Sequence, residues 1–103
     1  MYISAKEFKS DIDEVISLLK KSNLDQVKDF FVEKVKPKYI DLDLNGINSN
    51  LLKVITMYYN LSEFILNPGA SHFEVMTKEE IFDNYYSKEF QADLEASIKE
   101  DKK

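Results

Sequence analysis

Residues 49–66 have the sequence SNLLKVITMYYNLSEFIL, the most continuously apolar stretch of this 103-residue chain. Most of its interior polar residues recur at intervals of three or four and so fall in one narrow strip of an α-helix; they are Lys53, Thr56, Asn60 and Glu63. The rest of the helix surface is apolar. Because a helix of this kind is covered by neighbours on several sides, we predict a central helix over about residues 49–66, stopped by NPG at 67–69.

Two other helix starts are marked by capping signals. Ser4 and Glu7 have the spacing of a capping box, and Thr77 and Glu80 repeat it. Each cap is flanked by the two apolar residues of a hydrophobic staple, Ile3 with Phe8 and Met76 with Ile81. We therefore predict a first helix over about residues 5–21 and a fourth helix that begins after Thr77.

A second helix is predicted between these elements. Ser22 or Asn23 can cap it, and apolar residues then share one face at helical spacing; they are Leu24, Val27, Phe31 and Val35. Proline disfavours helical geometry in the residue before it. Pro37 therefore predicts that this helix ends at about Lys36.

The stretch DLDLNGINSNLL at residues 41–52 resembles the calcium loop of EF-hands and of dockerin modules. Asp41, Asp43 and Asn45 occupy loop positions 1, 3 and 5, and Gly46 occupies position 6. Leu52 stands where an EF-hand has its bidentate glutamate, so this sequence departs from the pattern at its most specific position. The resemblance implies, as an alternative function, weak calcium or ligand binding through Asp41, Asp43 and Asn45.

The same stretch is also explained without a metal ion. Asn45-Gly46 is a strong turn dipeptide, because both residues tolerate positive φ. Before it, Ile40, Leu42 and Leu44 alternate with aspartates, as in a half-buried strand. We predict an extended segment here, which could pair with Phe73 to Met76 as a minor two-stranded patch.

The fourth helix carries two apolar stripes. Ile81 to Tyr86 supply the first, and Phe90, Leu94 and Ile98 form a second stripe that is rotated around the helix axis. One straight helix cannot easily bury both stripes against the same core. Either the helix breaks near Ser87 and Lys88, or the second stripe contacts another chain.

The second stripe supplies our candidate partner-binding residues. Phe90, Leu94 and Ile98 would form the apolar contact of that site. Nearby carboxylates, which would suit a basic partner, are Glu89, Asp93 and Glu95.

Residue composition argues against the common catalytic and cofactor sites. The chain has no cysteine, a single histidine, His72, and only two glycines. It therefore offers no thiolate site, no histidine-rich metal site and no glycine-rich phosphate loop. We expect neither an enzyme nor a resident cofactor or metal.

The charge distribution argues against nucleic-acid binding. All 14 basic residues are lysines, and the formal net charge is −5. Residues 1–38 carry 8 lysines against 7 acids, whereas residues 39–103 carry 6 lysines against 12 acids. A helix-turn-helix formed by the first two helices stays open as an alternative, although Asp25, Asp29 and Glu33 are unfavourable near phosphates. The N-terminal residues lack the apolar run of a signal peptide, and we expect a soluble cytoplasmic protein with no membrane partner.

These observations predict a mainly α protein, a single four-helix domain over residues 1–103 with a solvated tail at about 99–103. The function that suits it is a small protein–protein interaction module, with another protein or a second copy of itself as the partner. Residues encoded by A/T-rich codons are abundant, which favours an origin in a low-GC bacterium or phage. In such organisms these modules act as inhibitors, immunity proteins or assembly chaperones. The size and helix count are similar to those of four-helix bacteriocin immunity proteins, an analogy at the level of fold alone.

Overall fold

The structure is a computed structural model that describes residues 3–21, 23–67 and 76–101. These residues form a compact helical domain, which confirms the predicted mainly α class, but they hold five helices rather than four. The five are α1 (Ala5–Lys20), α2 (24–39), α3 (49–66), α4 (Lys78–Tyr85) and α5 (Lys88–Asp101).

No part of the predicted strand pair is present among the described residues. The described residues contain no strand, so the expectation of an extended Ile40–Leu44 strand was wrong. Leu44–Gly46 instead forms a 3-10 turn that begins at Asp43. Residues 73–75 of the proposed partner segment lie outside the described residues, as do His72 and the NPG residues Pro68 and Gly69.

Local capping fixes the start of α1. The Ser4 side chain accepts a hydrogen bond from the Glu7 backbone N–H at 3.1 Å, which satisfies one of the unpaired donors of the first turn. The staple residues Ile3 and Phe8 are both buried. The apolar stripe predicted from periodicity faces the core throughout the helix.

Helix α2 continues past the position where proline was expected to end it. Its first turns, Leu24–Phe30, are α-helical, Phe31–Val35 forms a π-helical turn, and Lys36–Tyr39 is α-helical again. In a regular α-helix the Pro37 ring would clash with the carbonyl four residues earlier. The wider turn, in which the Lys36 N–H bonds to the Phe31 carbonyl, places Pro37 at the start of a new α-helical segment. The predicted end at Lys36 was therefore wrong, and the extra turn brings Tyr39 into the core.

Helix α3 lies between the others, as its apolar sequence predicted, but it is not straight. It comprises Ser49–Val54 and Thr56–Leu66, joined at Ile55, where the Tyr58 N–H bonds to the Ile55 carbonyl three residues earlier. The first part packs against α5, and the second part packs against α2 and α4. The bend allows one helix to contact elements that point in different directions.

The junction between α4 and α5 confirms the predicted helix break. A reciprocal capping box of Thr77 and Glu80 begins α4. At Ser87 the hydroxyl donates to the Asn84 carbonyl and accepts from the Phe90 N–H, at 2.8 and 3.1 Å. Ser87 thus ends one helix and caps the next. We call this junction the elbow.

The end of α5 fastens the N-termini of two other helices. The Asp101 carboxylate accepts hydrogen bonds from the Ala5 and Lys6 backbone N–H groups at the start of α1. Glu100 accepts from the Ser49 hydroxyl and the Asn50 N–H at the start of α3, both at 3.0 Å. The expectation of a solvated tail from residue 99 was therefore wrong for Lys99–Asp101, because these residues are helical and two of them hold the fold together.

Candidate functional site

The structure places the predicted partner-binding stripe mainly in the core. Phe90 is 7% exposed and Leu94 is 1% exposed, while Ile98 packs half-buried against the same core. The elbow turns this stripe inward, so Phe90 and Leu94 join the same core as Ile81 and Tyr85 of the first stripe. The role of these residues in binding a partner stays a prediction, and their position in this fold gives it no support.

The acidic residues of the same prediction do not form one surface. Glu89 and Glu95 are exposed and Asp93 is half-buried. Glu89 and Asp93 are one turn apart, but Glu95 lies about 200° around the helix from Asp93. A single partner surface could therefore not use all three carboxylates at once.

The calcium-like loop is organised as a turn. Asp43 Oδ1 accepts a hydrogen bond from the Asn45 backbone N–H at 3.0 Å and so caps the 3-10 turn. Across residues 3–21, 23–67 and 76–101, no three side chains of His, Cys, Asp or Glu are grouped as metal ligands. The arrangement of Asp41, Asp43 and Asn45 therefore supports the turn interpretation rather than a cation site.

Four large apolar side chains are exposed along α3 and the segment that precedes it. We call them the α2–α3 surface: Ile40 (64% exposed), Leu44 (46%), Leu52 (45%) and Tyr59 (50%). Leu52 and Tyr59 are seven residues apart and project from nearly the same side of α3. The sequence predicted burial almost all round this helix, so the exposure of these two residues is a difference from expectation.

The α2–α3 surface is backed by a rigid aromatic stack. The Tyr39 and Tyr58 rings stack at 4.5 Å between centroids, and the Phe31 and Tyr58 rings stack at 5.5 Å. Ile40 follows Tyr39 in the chain, and the Tyr59 ring meets the edge of Tyr58. The stack therefore joins α2 to the middle of α3 and contacts one of the exposed residues, Tyr59.

A buried polar contact anchors this stack to α1. The Tyr39 hydroxyl donates to Asp11 Oδ2 at 3.3 Å, and the Lys38 ammonium lies 3.1 Å from Asp11 Oδ1. Burial, and then the neighbouring Asp11 charge, raises the pKa of Tyr39 well above its ordinary value. Burial also raises the pKa of Tyr58. Both phenols therefore stay neutral at any physiological pH.

The α2–α3 surface also lies in a weakly charged part of the chain. Residues 39–62 contain only three charged side chains, Asp41, Asp43 and Lys53, whereas 32% of all residues are charged. Protein interfaces are depleted of charge at their centre and enriched in aromatic residues. The composition of this surface is therefore that of an interface.

A second feature is a polar groove between α1 and the elbow, with a volume of about 360 Å³. We call it the elbow groove. One wall is a stripe of α1 and the other is formed by the residues around the elbow; the polar and aromatic lining residues are Lys9, Asp13, Ser17, Lys20, Tyr85, Tyr86 and Gln91. The groove was not predicted from the sequence, because the α1 residues alone have the pattern of a solvated helix face.

No protein family, curated protein or solved structure matches this chain. Among the helices of residues 3–21, 23–67 and 76–101, none combines the length and apolarity needed to cross a membrane.

Proposed function

We propose that this protein is a protein–protein interaction module that binds a basic partner through the α2–α3 surface. The observation that supports this function is the coincidence of four exposed large apolar side chains with a weakly charged segment of a highly charged chain. Contiguous apolar patches on small domains often mark interaction sites, and the proposal is that these four side chains act together as one.

Covering these side chains would be favourable. Removing a half-exposed leucine or tyrosine side chain from water contributes on the order of 1 kcal/mol. The Tyr59 ring already packs against Tyr58 of the aromatic stack, so less conformational entropy would be lost when a partner covers it. Tyrosine is also among the residues that contribute most to binding energy at interfaces.

The charge around the surface favours a basic partner over a second copy of the chain. Asp41 and Asp43 adjoin the exposed apolar residues, and residues 39–103 carry a net charge of −6, from 6 lysines and 12 acids. Two identical surfaces would bring like charges together, whereas a basic protein would be attracted and oriented. An inhibitor, an immunity protein or an assembly chaperone would each act by covering a partner in this way.

The helix-turn-helix alternative receives less support from the geometry. The exposed residues of α2 include Asp25, Asp29 and Glu33 beside Lys28 and Lys34. A helix that enters a DNA groove would carry these carboxylates towards the phosphates. A salt-dependent DNA retention assay would detect such binding directly.

The test uses two tyrosines that are matched in exposure. Tyr59 and Tyr86 are each 50% exposed, but only Tyr59 belongs to the α2–α3 surface. The tagged protein is first examined by sedimentation to measure self-association. Proteins captured from a low-GC bacterial lysate are then purified and titrated against the wild type, Tyr59→Ser, Leu52→Ser and Tyr86→Ser.

The proposal would be supported by a purified basic protein that binds the wild type with a defined Kd. That protein should bind Tyr59→Ser and Leu52→Ser at least tenfold more weakly and should bind Tyr86→Ser normally. Circular dichroism checks that each variant is folded. Equal binding by all variants would overturn the surface assignment. A dimer that Tyr59→Ser dissociates would replace the basic partner with a second copy of the chain.

A further inference from the structure

The last turn of α5 carries two carboxylates, Glu100 and Asp101, next to the negative end of the helix dipole. Negative charge at this position destabilises the helix that carries it. Both carboxylates instead accept hydrogen bonds from the N-termini of other helices, Asp101 from α1 and Glu100 from α3, where negative charge is favourable. The last turn of α5 is therefore stabilised by its contacts with α1 and α3 rather than by its own sequence.

We call the contacts of Glu100 and Asp101 with the starts of α1 and α3 the clasp. The side chain of Asn48 lies at its centre. Asn48 Nδ2 donates to Asp101 Oδ1 at 2.7 Å and to the Ser97 carbonyl at 3.2 Å. Asn48 Oδ1 accepts from the Leu51 N–H and so caps α3. Because one amide group both holds the end of α5 and begins α3, a movement of either helix end affects the other.

The clasp is polar and lies beyond the buried part of α5. Leu94 is the last apolar side chain of this helix in the buried core, and Ile98 is only partly buried against it. Lys99 and Asp101 are exposed. Segments with few buried apolar contacts and exposed hydrogen bonds open at a lower free energy than the core. The clasp is therefore able to open while the rest of the domain stays folded.

The clasp adjoins the α2–α3 surface. Leu44 precedes Asn48 by four residues, and Leu52 follows it by four, with its N–H bonded to the Asn48 carbonyl at 3.1 Å. Between Leu44 and Asn48 the chain is held by the partly buried side chain of Ile47. The positions of Leu44 and Leu52 therefore depend on the cap at Asn48, which the clasp completes.

We infer that the clasp is a conformational device that controls the α2–α3 surface. When it opens, the last turn of α5 and the first turn of α3 fray together, and Leu44 and Leu52 leave the arrangement that a partner would contact. A binding surface that exists in only a fraction of the molecules has an affinity reduced by that fraction. This regulation rests on the proposed function, but opening of the clasp can be measured without a partner.

The test is amide hydrogen exchange of the ¹⁵N-labelled protein, which detects rare open states. The reporters are the N–H groups of Leu51 and Leu52, because each bonds to Asn48 and neither bonds to α5. The references are Leu61 and Ile65, which are buried in the second part of α3. In the wild type we expect the protection of both reporters to be at least about tenfold lower than that of the references, as for a local opening.

Substitutions in α5 test the coupling between the two helix ends. Glu100→Gln combined with Asp101→Asn removes both charges and keeps the size of both side chains. This double variant should lower the protection of the reporters and of residues 99–101 by one common factor, about three- to tenfold, because a carboxylate accepts stronger hydrogen bonds than an amide. Glu95→Gln, an exposed change on α5 outside the clasp, should alter neither.

Circular dichroism checks that the variants are folded. Asp101→Asn alone gives the same comparison with a smaller disturbance, because its carboxylate contacts α1 and Asn48 but neither reporter.

A common loss of protection at the reporters and at residues 99–101 would establish the coupling. Protection of Leu51 and Leu52 equal to that of the references in the wild type would overturn it, because no local opening would then exist. Loss at residues 99–101 alone, or no loss at all, would overturn it as well, since α3 would then begin independently of α5. Normal partner binding by Tyr59→Ser would refute the proposed function and leave these exchange results unchanged, so the two failures are distinguishable.

Discussion

The hydroxyl group of Tyr39 connects the aromatic stack to α1. It is the polar end of a buried ring, 6% exposed, that lies against Tyr58 and meets the edge of Phe8. The hydroxyl donates a hydrogen bond to Asp11, and the Asp11 carboxylate also accepts one from Lys38. Asp11 Oδ2 is thus the acceptor that satisfies the Tyr39 hydroxyl.

Replacing Tyr39 by phenylalanine should destabilise the fold by about 1 kcal/mol, because a hydrogen bond to a charged acceptor is lost while the ring contacts remain. The measurement is urea unfolding followed by circular dichroism at neutral pH. Tyr59→Phe is the matched control, since its half-exposed hydroxyl can bond to water in either state, and we expect it to stay within 0.5 kcal/mol of the wild type, the usual range of surface changes. Equal unfolding midpoints for both variants would contradict the anchoring role of Tyr39.

Among the helices, the sequence was most informative where structure depends on a few adjacent residues. The Thr77–Glu80 capping box was predicted because its two residues lie three positions apart. The break near Ser87 was one of two alternatives, and it followed from the rotation between two apolar stripes rather than from adjacent residues. Pro37 was misjudged because the turn that accommodates it is π-helical, and no rule of spacing indicates a π-helical turn in advance.

Contacts between distant elements were not predictable in the same way. Glu100 and Asp101 have the composition of a charged tail, and only the packing of α5 against α3 shows that they cap other helices. The elbow groove was missed for this reason too, since its two walls are about seventy residues apart in the chain. Its residues form a pattern only after folding.

The cap at the start of α3 makes stability dependent on pH. Hydrogen bonds from the Asn50 backbone, and then from Ser49, hold the pKa of Glu100 below its ordinary value. A carboxyl group whose pKa is lower in the folded state binds fewer protons there than in the unfolded chain. Its contribution to stability is therefore complete above the unfolded pKa, near 4.5, and is lost as pH falls through the lower folded value.

Substitution of Glu100 by glutamine should therefore lower the melting temperature at pH 7 and flatten its decline between about pH 5 and pH 3. The amide cannot titrate, and it accepts weaker hydrogen bonds than a carboxylate. Thermal melts at half-unit pH intervals measure both effects. Glu95→Gln, an exposed change on the same helix, should leave the shape of the pH profile unaltered. Parallel profiles for Glu100→Gln and the wild type would show that the cap does not form in solution.

At the scale of the whole molecule, exposed and buried apolar residues lie on different elements. Apolar side chains on α1 and α5 are turned inward, whereas α3 and the segment before it leave four of them exposed. The sequence predicted that α3 is covered on several sides, and it left open whether the Phe90 stripe lies in the core after a helix break or contacts another chain. Hydrophobic periodicity shows which residues share a face of a helix, but not how many neighbours are available to cover that face.

This distribution can be tested at Leu94, which is 1% exposed in the core and which the sequence had assigned to a partner contact. Leu94→Ala should destabilise the fold by about 2–5 kcal/mol, the cost of a cavity in a packed core. Leu52→Ala, a change of the same size at a half-exposed site, should cost less than about 1 kcal/mol, because no cavity forms there. Chemical unfolding of both variants gives the comparison directly. If Leu94→Ala unfolds like the wild type but sediments differently, then Leu94 contacts another chain in solution, and α5 rather than α3 carries the interaction surface.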